Sequence, residues 1–149
     1  MAFGFRKKLL DVKIRDFEPL TDNDNSPERK TALLTEIKNN KDIEKIKKRC
    51  ENKLFSLKVI FYLNKNSKVE GQYQKDLDNM AKIVSDVLTD YLSKQDQVNK
   101  QKTGLGLMPD DKDIHELHLF KKFVETDLDQ GLDIKLYKLS NKIDDKKVL

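Results

Sequence analysis

The chain has 149 residues, 37% of them hydrophobic and 38% charged, with a formal net charge of +4 at pH 7. This length suits a single domain over residues 1–149, and no apolar run approaches the roughly 20 residues of a membrane-spanning helix. Cys50 is the only cysteine, which excludes a disulfide framework and a cysteine-based zinc site and favours a cytoplasmic protein without a membrane partner.

The first part of the chain predicts a strand followed by two helical pieces. Charged residues alternate with apolar ones over Leu10–Ile14, which is the period of a half-buried strand. Residues 19–25 hold a proline and several Asp and Asn residues, so we expect a loop. Ser26–Pro27 is a good helix start, and an apolar stripe then continues to Cys50, with a break at Asn39–Asn40.

The middle of the chain predicts a central strand and an amphipathic helix. Leu57–Leu63 alternates cleanly and is partly apolar on its second face as well, which is typical of a strand inside a sheet. A polar loop over residues 64–74 follows. The apolar residues of the next segment then recur at i, i+3, i+4, i+7 and i+8, the period of a helix. They are Met80, Ile83, Val84, Val87, Leu88, Tyr91 and Leu92.

The last part of the chain predicts a long connection and a pair of strands. Residues 93–109 are polar and contain glycine, so we expect a mobile loop. Ile114–Phe123 and Leu132–Leu136 both alternate, and the turn residues of Asp127–Gly131 between them predict a β-hairpin. Residues 141–149 are expected to be a frayed tail. This order of elements indicates an α+β domain, a small mixed β-sheet with helices packed on it.

Two acidic pairs lie on either side of the amphipathic helix. Asp76 and Asp78 lie in an extended lead-in, where alternate residues point the same way, so their carboxylates project from one side. Lys82 and Asp86 follow at intervals of one helical turn, on the face opposite the apolar stripe. Asp110–Asp111 stands just before a predicted strand. A helix cap and a turn are the ordinary interpretation of these pairs, and a magnesium site is the alternative.

Basic residues are concentrated between Lys38 and Lys53. Seven basic residues stand there against three acidic ones, a local excess equal to that of the whole chain. The basic residues are Lys38, Lys41, Lys45, Lys47, Lys48, Arg49 and Lys53. A solvated helix face and a surface that contacts phosphates are both open interpretations of this run.

The order of the motifs resembles that of the RusA-type Holliday junction resolvases. The pattern D-L-D-N-x-x-K runs from Asp76 to Lys82, and D-D-x-x-I follows from Asp110 to Ile114, before a glycine-led terminal strand. The resemblance covers the chain from about residue 54 to residue 139. It implies a RusA-like, homodimeric fold and a Mg²⁺-dependent endonuclease that nicks four-way DNA junctions symmetrically in DNA recombination and repair.

The resemblance also implies roles for individual residues. Asp76, Asp78 and Asp111 would be the metal-binding carboxylates, and Asp110 would support them. Lys82 would be the active-site lysine near the scissile phosphate. These five residues are therefore the expected catalytic and metal site.

Five basic residues are candidates for contacts to the DNA backbone under this interpretation. They are Lys7, Lys45, Lys48, Arg49 and Lys75. The sequence departs from the family in its longer connection between helix and acidic pair, and in the reduction of the basic run before the first aspartate to Lys75. Substrate choice therefore stays open, and flaps or forks are alternatives to the four-way junction. A catalytically silent nucleic-acid-binding or scaffold protein is the alternative from a different class.

Overall fold

The computed structural model describes residues 6–19, 27–66 and 76–142. In chain order the elements are β1 (Lys8–Arg15), α1 (Pro27–Asn40), α2 (Ile43–Cys50), β2 (Lys53–Asn64), α3 (Leu77–Leu88), α4 (Lys94–Val98), β3 (Ile114–Val124) and β4 (Gly131–Asn141). A 3₁₀ turn, Asp111–Asp113, precedes β3. Most of the expected loops at 19–25 and 64–74, the capping Ser26, and residues 143–149 of the expected tail lie outside the described residues.

The four strands form one mixed sheet in the order β1-β4-β2-β3. β4 is antiparallel to both β1 and β2, whereas β2 and β3 are parallel. The predicted α+β class, with helices packed on a small mixed sheet, is confirmed. The prediction that Leu57–Leu63 lies inside the sheet is confirmed as well, because β2 has a strand on each side.

The predicted hairpin is wrong. β3 and β4 are consecutive in the chain and antiparallel in direction, but β2 lies between them and pairs with both. The physical reason lies in β2, where Leu57, Val59 and Leu63 are fully buried in the sheet interior. Such a strand needs a partner on each edge. Turn residues between β3 and β4 show that the chain reverses there, but they do not show whether an earlier strand lies between the two.

The core lies between one face of the sheet and the helices α1, α2 and α3. Alternate residues of β1, β2 and β4 form that face, and they join the buried residues of the helices in one cluster. The cluster includes Leu33 and Ile37 from α1, Ile46 from α2, and Met80 and Val87 from α3. The apolar patterns of strands and helices therefore meet at a single interface.

The predicted break in the first helical segment is confirmed. α1 ends at Asn40, and Asp42 caps α2 by accepting a hydrogen bond from the backbone N–H of Lys45 at 3.3 Å. Pro27 is the first helical residue of α1. Proline therefore stands at the first helical position, as predicted for α1, whereas the cap at Asp42 had not been predicted.

α3 is shorter than its apolar period predicts. It ends at Leu88 rather than Leu92, because a later segment supplies donors to its last carbonyl groups. The backbone N–H of Leu105 donates to the carbonyl of Val87 at 2.8 Å, and that of Leu107 donates to Leu88 at 2.9 Å. Satisfying these terminal carbonyls lets the helix stop there.

The connection over residues 93–109 is packed against the rest of the fold. We expected a mobile loop, but α4 lies within it and Leu105, Leu107 and Met108 are buried in the core. A Cβ atom at Gly104 would lie 1.9 Å from the carbonyl oxygen of Thr89, so only glycine permits this close approach. The segment was predicted to be mobile because most of its residues are polar, although these few buried apolar residues fix it to the core.

Candidate active site

The first acidic pair begins α3. Asp76 is the N-cap residue, and its Oδ1 accepts a hydrogen bond from the backbone N–H of Asp78 at 2.9 Å. Both side chains are largely solvent-facing, and Asp78 lies in the first turn, where a negative charge interacts favourably with the helix dipole. The ordinary capping role predicted for this pair is therefore realised, and it leaves the outward-facing carboxylate of Asp78 available.

The second acidic pair begins the 3₁₀ turn. Oδ1 of Asp110 accepts a hydrogen bond from the backbone N–H of Lys112 at 3.0 Å, and this bond is the main cause of a lowered pKa at Asp110. The pKa of Asp111 is raised, first because its carboxyl shares a hydrogen bond with Asp110. Partial burial and the negative charges of Asp110 and Asp86 raise it further, while Lys82 opposes them. Asp111 therefore lies in a negative field built from two chain segments.

A polar cavity of about 490 Å³ brings these segments together. Its lining includes Lys82 and Asp86 from α3, Asp110–Asp111 from the 3₁₀ turn, and Lys30 from α1. Residues from the 89–97 stretch complete the wall. Three regions that are far apart in the sequence therefore meet at the cavity. It is lined by both carboxylates and ammonium groups.

Three of the predicted site residues share this cavity, namely Lys82, Asp110 and Asp111. Asp76 and Asp78 begin the same helix but do not line the cavity. Within residues 6–19, 27–66 and 76–142, no three His, Cys, Asp or Glu side chains are grouped so as to hold a metal ion. The joint metal site of Asp76, Asp78 and Asp111 stays a prediction.

The ion pair of Lys30 and Asp86 in the cavity wall was absent from the predicted site. Lys30 is only 7% exposed, and its Nζ lies 2.9 Å from Oδ2 of Asp86 and 2.9 Å from the carbonyl oxygen of Leu92. Asp86 had a signal in the sequence, since it lies two helical turns after Asp78 on the polar face. Lys30 had none, because its partners are more than 50 residues away.

The donor set of the cavity fits magnesium. Mg²⁺ takes oxygen ligands, usually one or two protein carboxylates, and keeps several waters. Asp110 and Asp111 share a hydrogen bond, and the pKa of Asp111 is raised by that bond and by nearby negative charge. A divalent cation beside this pair would replace the shared proton and relieve the repulsion between the carboxylates.

The predicted DNA-contacting residues lie on the surface wherever the structure describes them. Lys45, Lys48 and Arg49 form the exposed side of α2, and Lys7 is exposed just before β1. Lys75 lies outside the described residues. This exposure suits both interpretations of the basic run, a solvated helix and a phosphate-contacting face.

No protein-family model, curated protein or solved structure that was compared with this chain matches it. In the part of the chain that the structure describes, every helix is too short or too polar to cross a membrane.

Proposed function

We propose that this protein is a Mg²⁺-dependent, structure-selective endodeoxyribonuclease with a RusA-like, homodimeric fold. Its substrate would be branched DNA, with the four-way junction preferred, and its role would be in DNA recombination and repair. One observation carries the proposal. Lys82 of the D-L-D-N-x-x-K segment and Asp110–Asp111 of the D-D segment, far apart in the chain, line one polar cavity.

Each residue would have a distinct task in phosphodiester hydrolysis. Asp111 and Asp110, with Asp78 and Asp76 from the start of α3, would hold the metal ion. When bound, Mg²⁺ supplies an activated water and neutralises charge on the phosphate. The ammonium group of Lys82 would stabilise the negative charge that develops on the phosphoryl oxygens.

The proposed dimer follows from the shape of the substrate. A four-way junction has approximate two-fold symmetry, and a two-fold dimer presents one site to each of two opposing strands. The exposed residues Lys45, Lys48, Arg49 and Lys7 would contact phosphates, with Lys75 beside the first aspartate. Such contacts recognise shape rather than sequence and weaken steeply as salt concentration rises.

Two observations each support an alternative function. Asp76 and Asp110 each cap a helical turn, which favours a catalytically silent nucleic-acid-binding or scaffold protein. The packed 93–109 connection contributes to the cavity wall, and it would alter which branched DNA fits, so flaps or forks are the second alternative.

The decisive experiment is a nicking assay on four-way, flap, fork and linear DNA, with Mg²⁺ or with a chelator. Asp76→Asn is informative because asparagine caps a helix about as well as aspartate, so the variant removes the charge and keeps the cap. We expect Asp76→Asn and Asp111→Asn to lose at least about 100-fold in nicking while they still bind the junction. Asp129→Asn, in the exposed turn before β4, is the matched control and should keep full activity.

Two results would contradict the proposal. Mg²⁺-dependent nicking that persists in Asp76→Asn and Asp111→Asn would mean that the site is elsewhere. Junction binding without any cleavage by the wild-type protein would favour the silent binding protein.

A further inference from the structure

In the part of the chain that the structure describes, the strand β3 forms one edge of the sheet. It pairs along one side with β2, and among the described residues no strand lies on its other side. It is eleven residues long and none of them is buried. Long, regular edges are normally shortened, bulged or protected by charge, because their free N–H and C=O groups pair readily with another strand.

The edge also carries exposed apolar side chains between its charged ones. Five large hydrophobic side chains are highly exposed in the described part of the chain, and three of them belong to β3. Leu117 is 49% exposed, Phe120 is 44% exposed and Phe123 is 51% exposed. Exposed apolar side chains gathered on one element mark an interaction surface rather than ordinary scatter.

These three side chains lie on both faces of the sheet. Leu117 is level with Leu57, and Phe123 is level with Leu63, so both point to the face that carries the helices. Phe120 is level with Ile60 and points to the opposite face. A partner must therefore extend the sheet itself, since a partner packed on one face would leave the other apolar group exposed.

We propose that the partner on this edge is a second copy of the same chain, whose β3 pairs antiparallel with this one about a two-fold axis at Phe120. Opposite residues of an antiparallel pair point to the same face. In this register Leu117 lies opposite Phe123 of the partner subunit on the helix face, twice by symmetry. Phe120 meets Phe120 of the partner subunit on the other face, and Glu116 is diagonal to Lys122 of the partner subunit.

The sequence of β3 selects this register over its neighbours. Symmetric pairing that keeps the helices of both copies on one face must be centred on a residue, so the next choices are Leu119 and Lys121. Centring on Leu119 would place Phe120 opposite His118, and centring on Lys121 would place Phe120 opposite Lys122. Only the register centred on Phe120 matches all three exposed apolar side chains with apolar partners, giving a continuous eight-stranded sheet.

The dimer surface and its register rest on the residues of β3 alone. The nuclease proposal expects a two-fold dimer but does not say which surface forms it. The association can be measured without metal or DNA, so a failure here leaves the nicking experiment intact, and a failure of nicking leaves this inference intact.

The first test is sedimentation equilibrium of the wild-type protein, Phe120→Lys and Leu128→Lys. We expect a wild-type dimer and at least a 100-fold weaker association in Phe120→Lys, because a lysine pair would face itself across the axis. Leu128→Lys is the matched control, since Leu128 is 69% exposed but lies outside β3, and it should associate like the wild type. A wild-type monomer at about 100 μM, or a dimer unaffected by Phe120→Lys, would overturn the proposal.

The second test reads the register directly. A residue on the axis lies opposite itself, close to disulfide distance, so Phe120→Cys should cross-link two copies under mild oxidation. The native Cys50 is buried and burial raises the pKa of its thiol to about 11, so it should not compete. Lys122→Cys, two residues along the same face, is the control and should cross-link far less. Equal cross-linking of both variants, or none in either, would overturn the register.

Discussion

α3 and β3 are elements of similar length in contact with each other, and they are built in opposite ways. Seven of the twelve residues of α3 are buried, whereas none of the eleven residues of β3 is. α3 places Lys82 and Asp86 in the polar cavity from a firmly packed scaffold. Among the described strands, β3 pairs only with β2, and it exposes apolar side chains to solvent.

The contrast separates two ways of using a secondary-structure element. Side chains that take part in chemistry must be held in place, and a helix packed along its whole length provides this. An element that forms an interface instead keeps apolar side chains exposed to solvent until the partner binds. Substitutions of the buried apolar residues of α3 should therefore act on folding, while substitutions of the exposed apolar residues of β3 should act on association.

The largest expected effect tests this separation directly. Leu88→Ala removes a fully buried side chain at the end of α3 and should cost about 2–5 kcal/mol of unfolding free energy. Phe123→Ala, on β3, should cost under about 1 kcal/mol in the monomer because half of its surface is already exposed. Urea unfolding at low protein concentration measures both, and equal costs would break the comparison.

The next largest effect concerns the ion pair between Lys30 of α1 and Asp86 of α3 in the cavity wall. Lys30→Met leaves the carboxylate of Asp86 without its ammonium partner and should cost about 2 kcal/mol, less than for a fully buried pair because Asp86 retains some solvent. Lys30→Arg should keep most of the stability. In a double-mutant cycle, adding Asp86→Asn to Lys30→Met should recover part of the loss. Strict additivity of the two substitutions would show that the pair is not coupled.

The elements with a strong local period were predictable from sequence. The apolar residues of α3 and the alternation of β2 each report burial through neighbouring positions, and both elements formed where expected. The end of α3 was not predictable, because its last carbonyls are satisfied by residues 105 and 107. The prediction of a hairpin between β3 and β4 was wrong for the same reason, since strand order depends on contacts between distant segments.

The residues of the candidate site likewise fall into those that the sequence predicted and those that only the structure shows. Motif order predicted that Lys82 and Asp110–Asp111 belong to one site, and the fold brings them to one cavity. Lys30 had no motif and no regular spacing to its partner Asp86. A buried lysine that pairs across 56 residues leaves no trace in a local pattern, so only the structure could add it.

The smallest expected effect lies at the polar anchor of β3. The carboxylate of Glu116 contacts the guanidinium of Arg6 and accepts a hydrogen bond from the hydroxyl of Ser56 at 3.2 Å. The hydrogen bond from Arg6 is the main cause that lowers the pKa of Glu116 from 4.5 to about 2. Because the folded pKa is the lower one, this contribution is complete above pH 4.5 and is lost as the pH falls towards 2.

Glu116→Gln should therefore flatten the acid limb of the stability curve between pH 4.5 and 2, with a modest change at neutral pH because the pair is partly exposed. Glu125→Gln is the matched control, since that carboxylate is mostly exposed just beyond β3. Urea midpoints measured every half pH unit would show the difference. Parallel curves for wild type and Glu116→Gln would mean that the contact between Arg6 and Glu116 adds no stability to β3, which would sharpen the contrast with α3 further.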